Sequence, residues 1–311
     1  MTLEPKRING RYFTITNPFM NEGFFEWANA CKIKDATILE PFAGANNLIS
    51  MLQDMQLCKN FISFDIEPQN SKVKKRDTLA DFPQGYEVCV TNPPYLAQNS
   101  ATRRGLPYLH TEYDDLYKFA LSKCLENCTN VAAIIPASFL NSYLFRNRLS
   151  HYILLSSKMF NDTEHPVCLA LFNRESEKVK IYDGENYIGL LNELEAKLPS
   201  TNKETNMKFN DKNGNLGLIA IDNTLEPSIK FVKGNTINPN RIGISSRSIT
   251  RISVDTDAEK LIPKINDRLN NFRKDTYDLF LTPFKGLRRD NKFRRRLDFS
   301  LARKLINEIA V

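Results

Sequence analysis

The sequence contains no long hydrophobic run. Its 311 residues include no apolar stretch near the roughly 18 residues that a membrane-spanning helix needs. The opening residues, Met-Thr-Leu-Glu-Pro-Lys-Arg, also lack the apolar segment of a secretory signal peptide. We therefore predict a cytoplasmic protein without a membrane partner.

The chain is also poor in patterns that bind metals or form disulfide frameworks. Six cysteines are scattered along it, and none lies in a Cys-x-x-Cys pair. Cys124 and Cys128 are one helical turn apart without a histidine nearby, and the three histidines form no catalytic constellation. The sequence therefore predicts reduced cysteines in the core and no metal cofactor.

The excess of positive over negative charge is confined to the C-terminal part. Residues 241–311 hold 17 of the 43 lysines and arginines and 9 of the 36 acidic residues, which leaves 26 and 27 for residues 1–240. Such asymmetry is typical of a polyanion-binding region attached to a neutral one, although a solvated basic surface is the alternative. The predicted phosphate contacts in this region are Arg247, Arg251, Lys285, Arg288, Arg289, Lys292, Arg294 and Arg295.

The pattern with the most chemical content is Thr91-Asn92-Pro93-Pro94-Tyr95. It follows an apolar run at 86–90 that predicts a buried strand, and open α/β sheets bind ligands at the carboxyl ends of strands. The two prolines stiffen the turn, so the Asn92 amide oxygen and the Pro93 carbonyl present two acceptors that match an exocyclic amino group. Tyr95 adds an aromatic face for a planar base. A proline-rich turn without chemistry is the alternative interpretation.

Two strand–turn units precede this motif. A short strand at 36–39 leads through a turn containing Gly44 into a helix, which is the first unit of a doubly wound fold. A second strand at 61–64 ends at Asp65, where a Rossmann-like fold hydrogen-bonds ribose hydroxyls. Before both units, Asn17 is the predicted N-cap of a helix that begins at Pro18.

In this order the motifs resemble those of the gamma-class DNA adenine-N6 methyltransferases, which use S-adenosylmethionine. Residues 92–95 resemble the catalytic motif, and residues 40–48 resemble the glycine turn, with Asn46 in place of its second glycine. Asparagine tolerates a positive φ, so the turn is expected to survive this change. The resemblance implies that Thr16 and Asn17 contact the methionine part of the cofactor, and that Asp77 accepts from its adenine amino group.

The fold that the resemblance implies is α/β. A Rossmann-like, S-adenosylmethionine-dependent methyltransferase domain would occupy residues 1–180, and a smaller basic DNA-recognition region would occupy residues 181–311. The implied cofactor is S-adenosylmethionine, with S-adenosylhomocysteine as the product and no metal. The implied cofactor contacts are Thr16, Asn17, Glu40, Phe42, Ala43, Gly44, Asp65, Ile66, Asp77, Thr78 and Asn92.

The implied reaction is methyl transfer to N6 of an adenine that has left the duplex. The implied catalytic residues are Asn92, Pro93, Pro94, Tyr95 and Phe172. Phe172 ends an apolar strand that resembles the motif whose aromatic residue packs against the extruded base; a core position in the sheet is the alternative. Arg103 and Arg104 are expected in a mobile loop over the site that touches phosphates, or else as solvated surface charge.

The implied partner is double-stranded DNA, in the setting of a type II restriction-modification system with a separate nuclease, and the chain is expected to be a monomer. Three alternatives from the same chemistry remain: methylation of cytosine N4, of a ribosomal RNA base, or of a protein glutamine. A fourth, of another class, is a DNA-binding relative without activity.

Overall fold

The computed structural model describes residues 12–108, 111–155, 158–161, 163–242 and 247–310. It divides into two compact units, Met1–Leu191 and Asn192–Val311. The predicted division at residue 180 falls at the first residue of a strand that belongs to the sheet of the first unit. The first unit therefore extends through that strand and the next one.

The described part of the first unit forms a nine-stranded sheet in the order β3-β2-β1-β4-β5-β7-β6-β8-β9. Strands β1 to β5 run parallel, and β7 is antiparallel to both β5 and β6. The strands are β1 Thr37–Glu40, β2 Asn60–Asp65, β3 Val73–Lys75, β4 Val88–Thr91, β5 Asn130–Pro136, β6 Leu149–Leu154, β7 Val167–Phe172, β8 Lys180–Asp183 and β9 Asn186–Leu190. This order confirms the predicted doubly wound α/β fold, whose chain reverses direction across the sheet between β1 and β4.

Helices precede, connect or follow the strands of this sheet along the chain. They are α1 Glu22–Ala30, α2 Asn47–Asp54, α3 Gln98–Arg104, α4 Leu116–Asn127 and, at the boundary of the units, α5 Leu191–Glu195. The predicted helix start at Pro18 is wrong. The amide oxygen of Asn17 accepts from the backbone N–H of Phe19 in a turn, and Asn21 caps the helix by accepting from Phe24 N–H at 2.8 Å.

The described part of the second unit contains a four-stranded antiparallel sheet in the order β10-β13-β11-β12 and a separate two-stranded hairpin. The four strands are β10 Met207–Phe209, β11 Leu216–Ile219, β12 Lys230–Lys233 and β13 Ile249–Val254, and the hairpin is β14 Thr282–Leu287 with β15 Phe293–Arg296. The helices are α6 Ala258–Asp275 and α7 Phe299–Ile309. Helix α6 is capped by Asp257, whose carboxylate accepts from Glu259 N–H at 3.0 Å.

Within the described residues, no helix is long and apolar enough to cross a membrane. The same residues contain no group of three or more histidine, cysteine, aspartate or glutamate side chains arranged to hold a metal ion.

Candidate active site

A cavity of about 450 Å³ lies in the first unit, lined by residues that follow β1, β2 and β4. Its size falls within the range of small-molecule sites, and its place at the carboxyl ends of parallel strands is where doubly wound sheets bind ligands. Eleven of the residues predicted from sequence line it: Glu40, Phe42, Ala43, Gly44, Asp65, Ile66, Asp77, Thr78, Asn92, Pro93 and Pro94. The tertiary structure thus brings together motifs that are spread over more than fifty positions of the chain.

The turn after β1 wraps one side of this cavity in a left-handed conformation. Gly44 has φ +51°, and Asn46 has φ +67°. The amide oxygen of Asn46 accepts from the Ser63 hydroxyl at 2.7 Å, which ties the turn to β2. Asn46 therefore takes the positive φ expected where a second glycine is usual, and its side chain adds a tether that glycine lacks.

Gly44 also meets a tight packing requirement. A Cβ atom at this position would lie 2.6 Å from the ring edge of Phe13, closer than carbon atoms approach without displacement. The Gly44 N–H donates to Asp65 Oδ2 at 2.8 Å, and Asp65 Oδ1 accepts from Glu67 N–H at 2.8 Å. Asp65 thus holds the turn after β1 at the end of β2.

Glu40, the last residue of β1, is only 2% exposed. Its Oε2 atom has no hydrogen-bond partner among the described residues. Burial, and then the nearby Asp65 carboxylate, raise the pKa of Glu40 well above its usual value. A buried carboxyl oxygen without a donor costs free energy, so this atom marks a place where a bound ligand can supply a hydrogen-bond donor.

The segment after β3 closes the cavity from another side. Asp77 Oδ1 accepts from the N–H groups of Leu79 at 3.2 Å and Ala80 at 3.3 Å. The Thr78 hydroxyl donates to the backbone oxygen of Pro41 at 2.8 Å, which joins this segment to the turn after β1. Ile66 remains 43% exposed at the cavity, as expected for an apolar side chain that a planar ligand covers.

The Asn92–Tyr95 motif follows β4, whose four residues are all buried. The Asn92 Nδ2 atom donates to the backbone oxygen of Tyr12 at 2.8 Å and to Thr14 Oγ1 at 3.3 Å. Because Nδ2 has these acceptors, the amide is fixed in one orientation, with Oδ1 as the acceptor. The sequence did not indicate that Tyr12, Phe13 and Thr14 line the cavity.

Tyr95 lies beside the cavity lining rather than in it. Its hydroxyl is 2.6 Å from Asn92 Oδ1 and 2.6 Å from the backbone oxygen of Ile134. Burial raises the pKa of this hydroxyl well above the ordinary tyrosine value, so it remains a donor. Four aromatic side chains surround the ring, with centroids at 5.8 to 6.4 Å: Tyr12, Tyr117, Phe160 and His165.

The N-terminal contacts predicted from sequence are displaced. Thr16 donates to the backbone oxygen of Lys158 at 2.6 Å, and Asn17 donates to Met55 Sδ at 3.3 Å. Neither residue lines the cavity, where Tyr12, Phe13 and Thr14 lie instead. The part of this segment that lines the cavity therefore lies a few positions before the predicted residues.

The prediction that Phe172 packs against a substrate base is wrong. Phe172 is fully buried and pairs with Val131, at the start of β5, whereas Val167 pairs with Pro136 at its end. Because β7 runs antiparallel, Phe172 lies at the edge of the sheet opposite to Asn92, and its ring packs on Phe139. The core alternative is correct, and the exposed aromatic residue at the Asn92 edge is His165.

The predicted basic contacts fall into two groups. Six are exposed: Arg103, Arg104, Arg247, Lys285, Arg289 and Lys292. Arg103 and Arg104 lie on α3 rather than in the expected loop.

Four predicted basic contacts are held by the protein itself: Arg251, Arg288, Arg294 and Arg295. Arg251 donates to the backbone oxygens of Ile237 and Lys212, and Arg294 donates to that of Asp222. Arg288 and Arg295 are buried, at 5% and 4% exposure. Arg288 in particular is committed to carboxylates inside the second unit, which excludes it as a surface contact.

Residues 26–163 match the model of the Eco57I restriction-modification methylase family. This match confirms the resemblance to S-adenosylmethionine-dependent restriction-modification methyltransferases, and it spans the turn after β1, the end of β2 and the Asn92–Tyr95 motif. No curated protein matches the chain.

Several solved structures are similar over about half of the chain. A candidate class I S-adenosylmethionine-dependent methyltransferase from Listeria monocytogenes is 12% identical, with a TM-score of 0.38, over 59% of this chain and 72% of that one. A type I restriction-modification methyltransferase subunit from Streptococcus thermophilus is 14% identical, with a TM-score of 0.36, over 50% of this chain and 44% of that one. An rRNA methylase from the same organism is 13% identical, with a TM-score of 0.32, over 52% and 99%. The fold itself follows from the strand order, to which these similarities add no argument.

Proposed function

We propose, from the restriction-modification methylase match over residues 26–163, that this protein transfers a methyl group from S-adenosylmethionine to N6 of adenine in DNA. The observation that carries the proposal is the position of Asn92 and Pro93, which follow β4 and line the same cavity as Glu40, Asp65 and Asp77. A cofactor site and two aligned acceptors for an amino group are thereby adjacent. The motif order along the chain supports the gamma arrangement.

The lining residues fit S-adenosylmethionine. Glu40 Oε2, buried and without a donor from the described protein, suits the cofactor's ammonium group, and Asp65 at the end of β2 suits ribose hydroxyls. Asp77 and Ile66 provide an acceptor and an apolar surface for an adenine ring. The turn at Gly44 leaves no room for a side chain beside Phe13. When bound, S-adenosylmethionine supplies an electrophilic methyl group.

The protein's own part in the reaction is to orient the accepting nitrogen. The lone pair of an adenine amino nitrogen is delocalised into the ring, so the nitrogen is a poor nucleophile. Hydrogen bonds from its two N–H groups to Asn92 Oδ1 and the Pro93 carbonyl would favour a tetrahedral nitrogen whose lone pair points toward the cofactor. One of the two N–H protons would leave for solvent once the nitrogen carries the methyl group. Tyr12 keeps Asn92 in the required orientation by accepting from Nδ2, and the Tyr95 hydroxyl can release Oδ1 by donating to Ile134 instead.

The target base must leave the duplex to reach this site, which costs a few kcal/mol that stacking in the pocket offsets. The Tyr95 ring lies next to Asn92 and provides one stacking surface. His165, exposed 6.4 Å from that ring, replaces Phe172 as the second aromatic residue of the proposal. A monomer that modifies double-stranded DNA beside a separate type II nuclease is the proposed setting.

The test is transfer of labelled methyl from S-adenosylmethionine to genomic DNA, to total RNA and to protein, followed by nucleoside analysis of the nucleic acids. We expect N6-methyladenine in DNA from the wild type and from Asn29→Ala, an exposed substitution on α1, and none from Asn92→Ala. Asn92→Ala should bind the cofactor normally, whereas Asp65→Ala should weaken that binding first. Label in N4-methylcytosine, RNA or protein would replace the adenine proposal by the corresponding alternative, and bound cofactor without any transfer would identify a silent relative.

A further inference from the structure

The hairpin of the second unit, called here the basic hairpin, comprises β14, β15 and the turn between them. Leu287 pairs with Phe293 at its tip, and the backbone N–H of Arg288 donates to the Lys292 carbonyl at 2.9 Å across the turn. Asn291 adopts φ +60° in the turn. Within the described residues, the only pairing of these strands with any other segment is the bridge between Arg296 and Ile221 at the root. The basic hairpin is thus a two-stranded ribbon separate from the four-stranded sheet.

One buried carboxylate holds both the turn and the second strand of the basic hairpin. Asp222 is fully buried, and its oxygens accept from the Arg273 guanidinium at 2.9 Å and from Arg288 at 3.0 Å. Arg288 also bonds Asp290 at 2.8 Å across the turn, and Asp222 Oδ2 accepts from the backbone N–H of Arg295 at 3.2 Å. Because the turn, through Arg288, and β15, through Arg295, are both tied to Asp222, the ribbon is a fixed element rather than a loose loop.

The same contacts sort the basic residues of the hairpin by role. Asp290, the acidic residue of the turn, is paired with Arg288. Lys285, Arg289 and Lys292 are exposed. Lys285 and Arg289 form no ion pair within the described part of the chain. Lys285, Arg289 and Lys292 are therefore exposed to solvent, whereas Arg288, which anchors the turn, is buried against Asp222.

A second observation at the root also indicates an anionic ligand. The Arg296 Nε atom is buried and has no hydrogen-bond partner among the described residues. Burial, and then the neighbouring guanidinium of Arg247, lower the pKa of Arg296, and the Asp298 carboxylate acts in the opposite direction. An anion such as a backbone phosphate would reduce the repulsion between the Arg247 and Arg296 guanidinium groups and would accept a hydrogen bond from Arg296 Nε.

We propose that the basic hairpin binds double-stranded DNA by entering the major groove, with Lys285, Arg289 and Lys292 contacting the DNA and with Asp222 as the positioning residue for the ribbon. The choice of DNA as the partner rests on the proposed function. The major groove of B-form DNA is about 12 Å wide and admits a two-stranded β-ribbon, whereas that of A-form RNA is deep and too narrow for side-chain contacts. The geometry of the hairpin thus favours duplex DNA over duplex RNA.

The experiment measures binding of the full chain to a DNA duplex and to an RNA duplex of matched length, at several salt concentrations and without cofactor. The test variant carries Lys285→Ala, Arg289→Ala and Lys292→Ala. The matched control carries Lys260→Ala, Lys264→Ala and Lys274→Ala. It also removes three positive charges, but from exposed positions on α6. We expect the test variant to bind DNA about tenfold or more weakly, with the slope of log affinity against log salt lowered by about one per lost contact. The control should retain most of the wild-type affinity and slope.

Two further outcomes decide the proposal. Equal loss in both triple variants would show that net charge alone matters and would overturn the role of the hairpin, as would equal effects on DNA and RNA. Because no methyl transfer is measured, a hairpin effect on DNA binding stands even if the protein proves inactive. Conversely, wild-type DNA affinity and salt dependence in the test variant would reject the role of the hairpin while leaving the proposed function intact.

Discussion

The Tyr95 hydroxyl lies 2.6 Å from the side-chain oxygen of Asn92, three residues earlier in the same turn. The same hydroxyl lies 2.6 Å from the backbone oxygen of Ile134, and its single proton can serve only one of these acceptors at a time. When a substrate N–H donates to Asn92 Oδ1, the Tyr95 hydroxyl can therefore donate to the backbone oxygen of Ile134 instead and keep a hydrogen bond.

This relationship predicts different outcomes for two substitutions of Tyr95. Tyr95→Phe keeps the ring and frees Asn92 Oδ1, so methyl transfer should stay within about tenfold of wild type, with a loss of unfolding free energy of about 1 kcal/mol for the hydrogen bond. Tyr95→Ala removes the stacking surface and should cost a further 1–3 kcal/mol, by rough estimate, in transition-state stabilisation. Steady-state kcat/KM on one duplex substrate compares them, with exposed Tyr187→Ala as the control. Equal defects in both Tyr95 variants would mean that the hydroxyl, rather than the ring, is required.

Glu40→Gln should separate stability from cofactor affinity. The pKa of Glu40 is raised in the folded protein, so the folded state binds a proton more tightly than the unfolded state, and stability declines as pH rises above the ordinary glutamate value of 4.5. The glutamine variant lacks this decline, so without cofactor it should melt at a higher temperature than wild type at pH 8, and the difference should shrink toward pH 5. Thermal melts across this range give the measurement.

The same variant should bind S-adenosylmethionine about 10–100-fold more weakly, because a charge-assisted hydrogen bond contributes roughly 1.5–3 kcal/mol. Methylthioadenosine, which lacks the ammonium and carboxylate groups, serves as the control ligand and should bind wild type and variant equally. An equal loss for both ligands would place Glu40 away from the ammonium group.

Gly44→Ala should weaken cofactor binding through Phe13. The new Cβ atom would lie 2.6 Å from the Phe13 ring, and the positive φ adds a strain of about 1–2 kcal/mol. Gly85→Ala is the matched control, since Gly85 also has a positive φ, +88°, but its Cβ would meet no atom within 4 Å. Calorimetric titration should show a larger loss of affinity for Gly44→Ala than for Gly85→Ala. Similar affinities in the two variants would indicate that the contact with Phe13 is unimportant for the site.

Asp222→Asn should destabilise the second unit by about 3–5 kcal/mol, because it leaves Arg273 and Arg288 buried without their shared carboxylate. Although burial acts to raise it, hydrogen bonds from Arg273 hold the pKa of Asp222 below its usual value. Its contribution to stability is therefore present above the ordinary aspartate pKa of 3.8 and lost as pH falls through the lower folded value.

Denaturant unfolding at pH 7 and at pH 3 measures this effect, and the difference between wild type and Asp222→Asn should be smaller at pH 3. Lys233→Ala is the control, because it breaks an exposed pair with Glu259 and should cost less than about 1 kcal/mol. A loss of unfolding free energy at pH 7 no larger than that of the control would show that Asp222 does not hold the basic hairpin in place.

The sequence by itself determined the features that depend on neighbouring residues. An apolar strand followed by Asn92 and two prolines must leave the sheet in a stiff turn. Asparagine tolerates a positive φ as a residue type, so Asn46 can replace a glycine in the turn after β1. The alternation of short strands and helices was sufficient to predict the parallel sheet, and thereby which ends of β1, β2 and β4 meet at the cavity.

Only the tertiary structure decided the features that depend on distant partners. The antiparallel direction of β7 places Phe172 at the wrong edge for a substrate contact, although its local pattern is that of any buried strand. Arg288 and Arg289 are adjacent in a basic run, yet one is buried against Asp222, 66 residues away, and the other is exposed. Burial and ion pairing are set by long-range packing, so a charge run specifies how much positive charge a segment carries but not which side chains reach a partner.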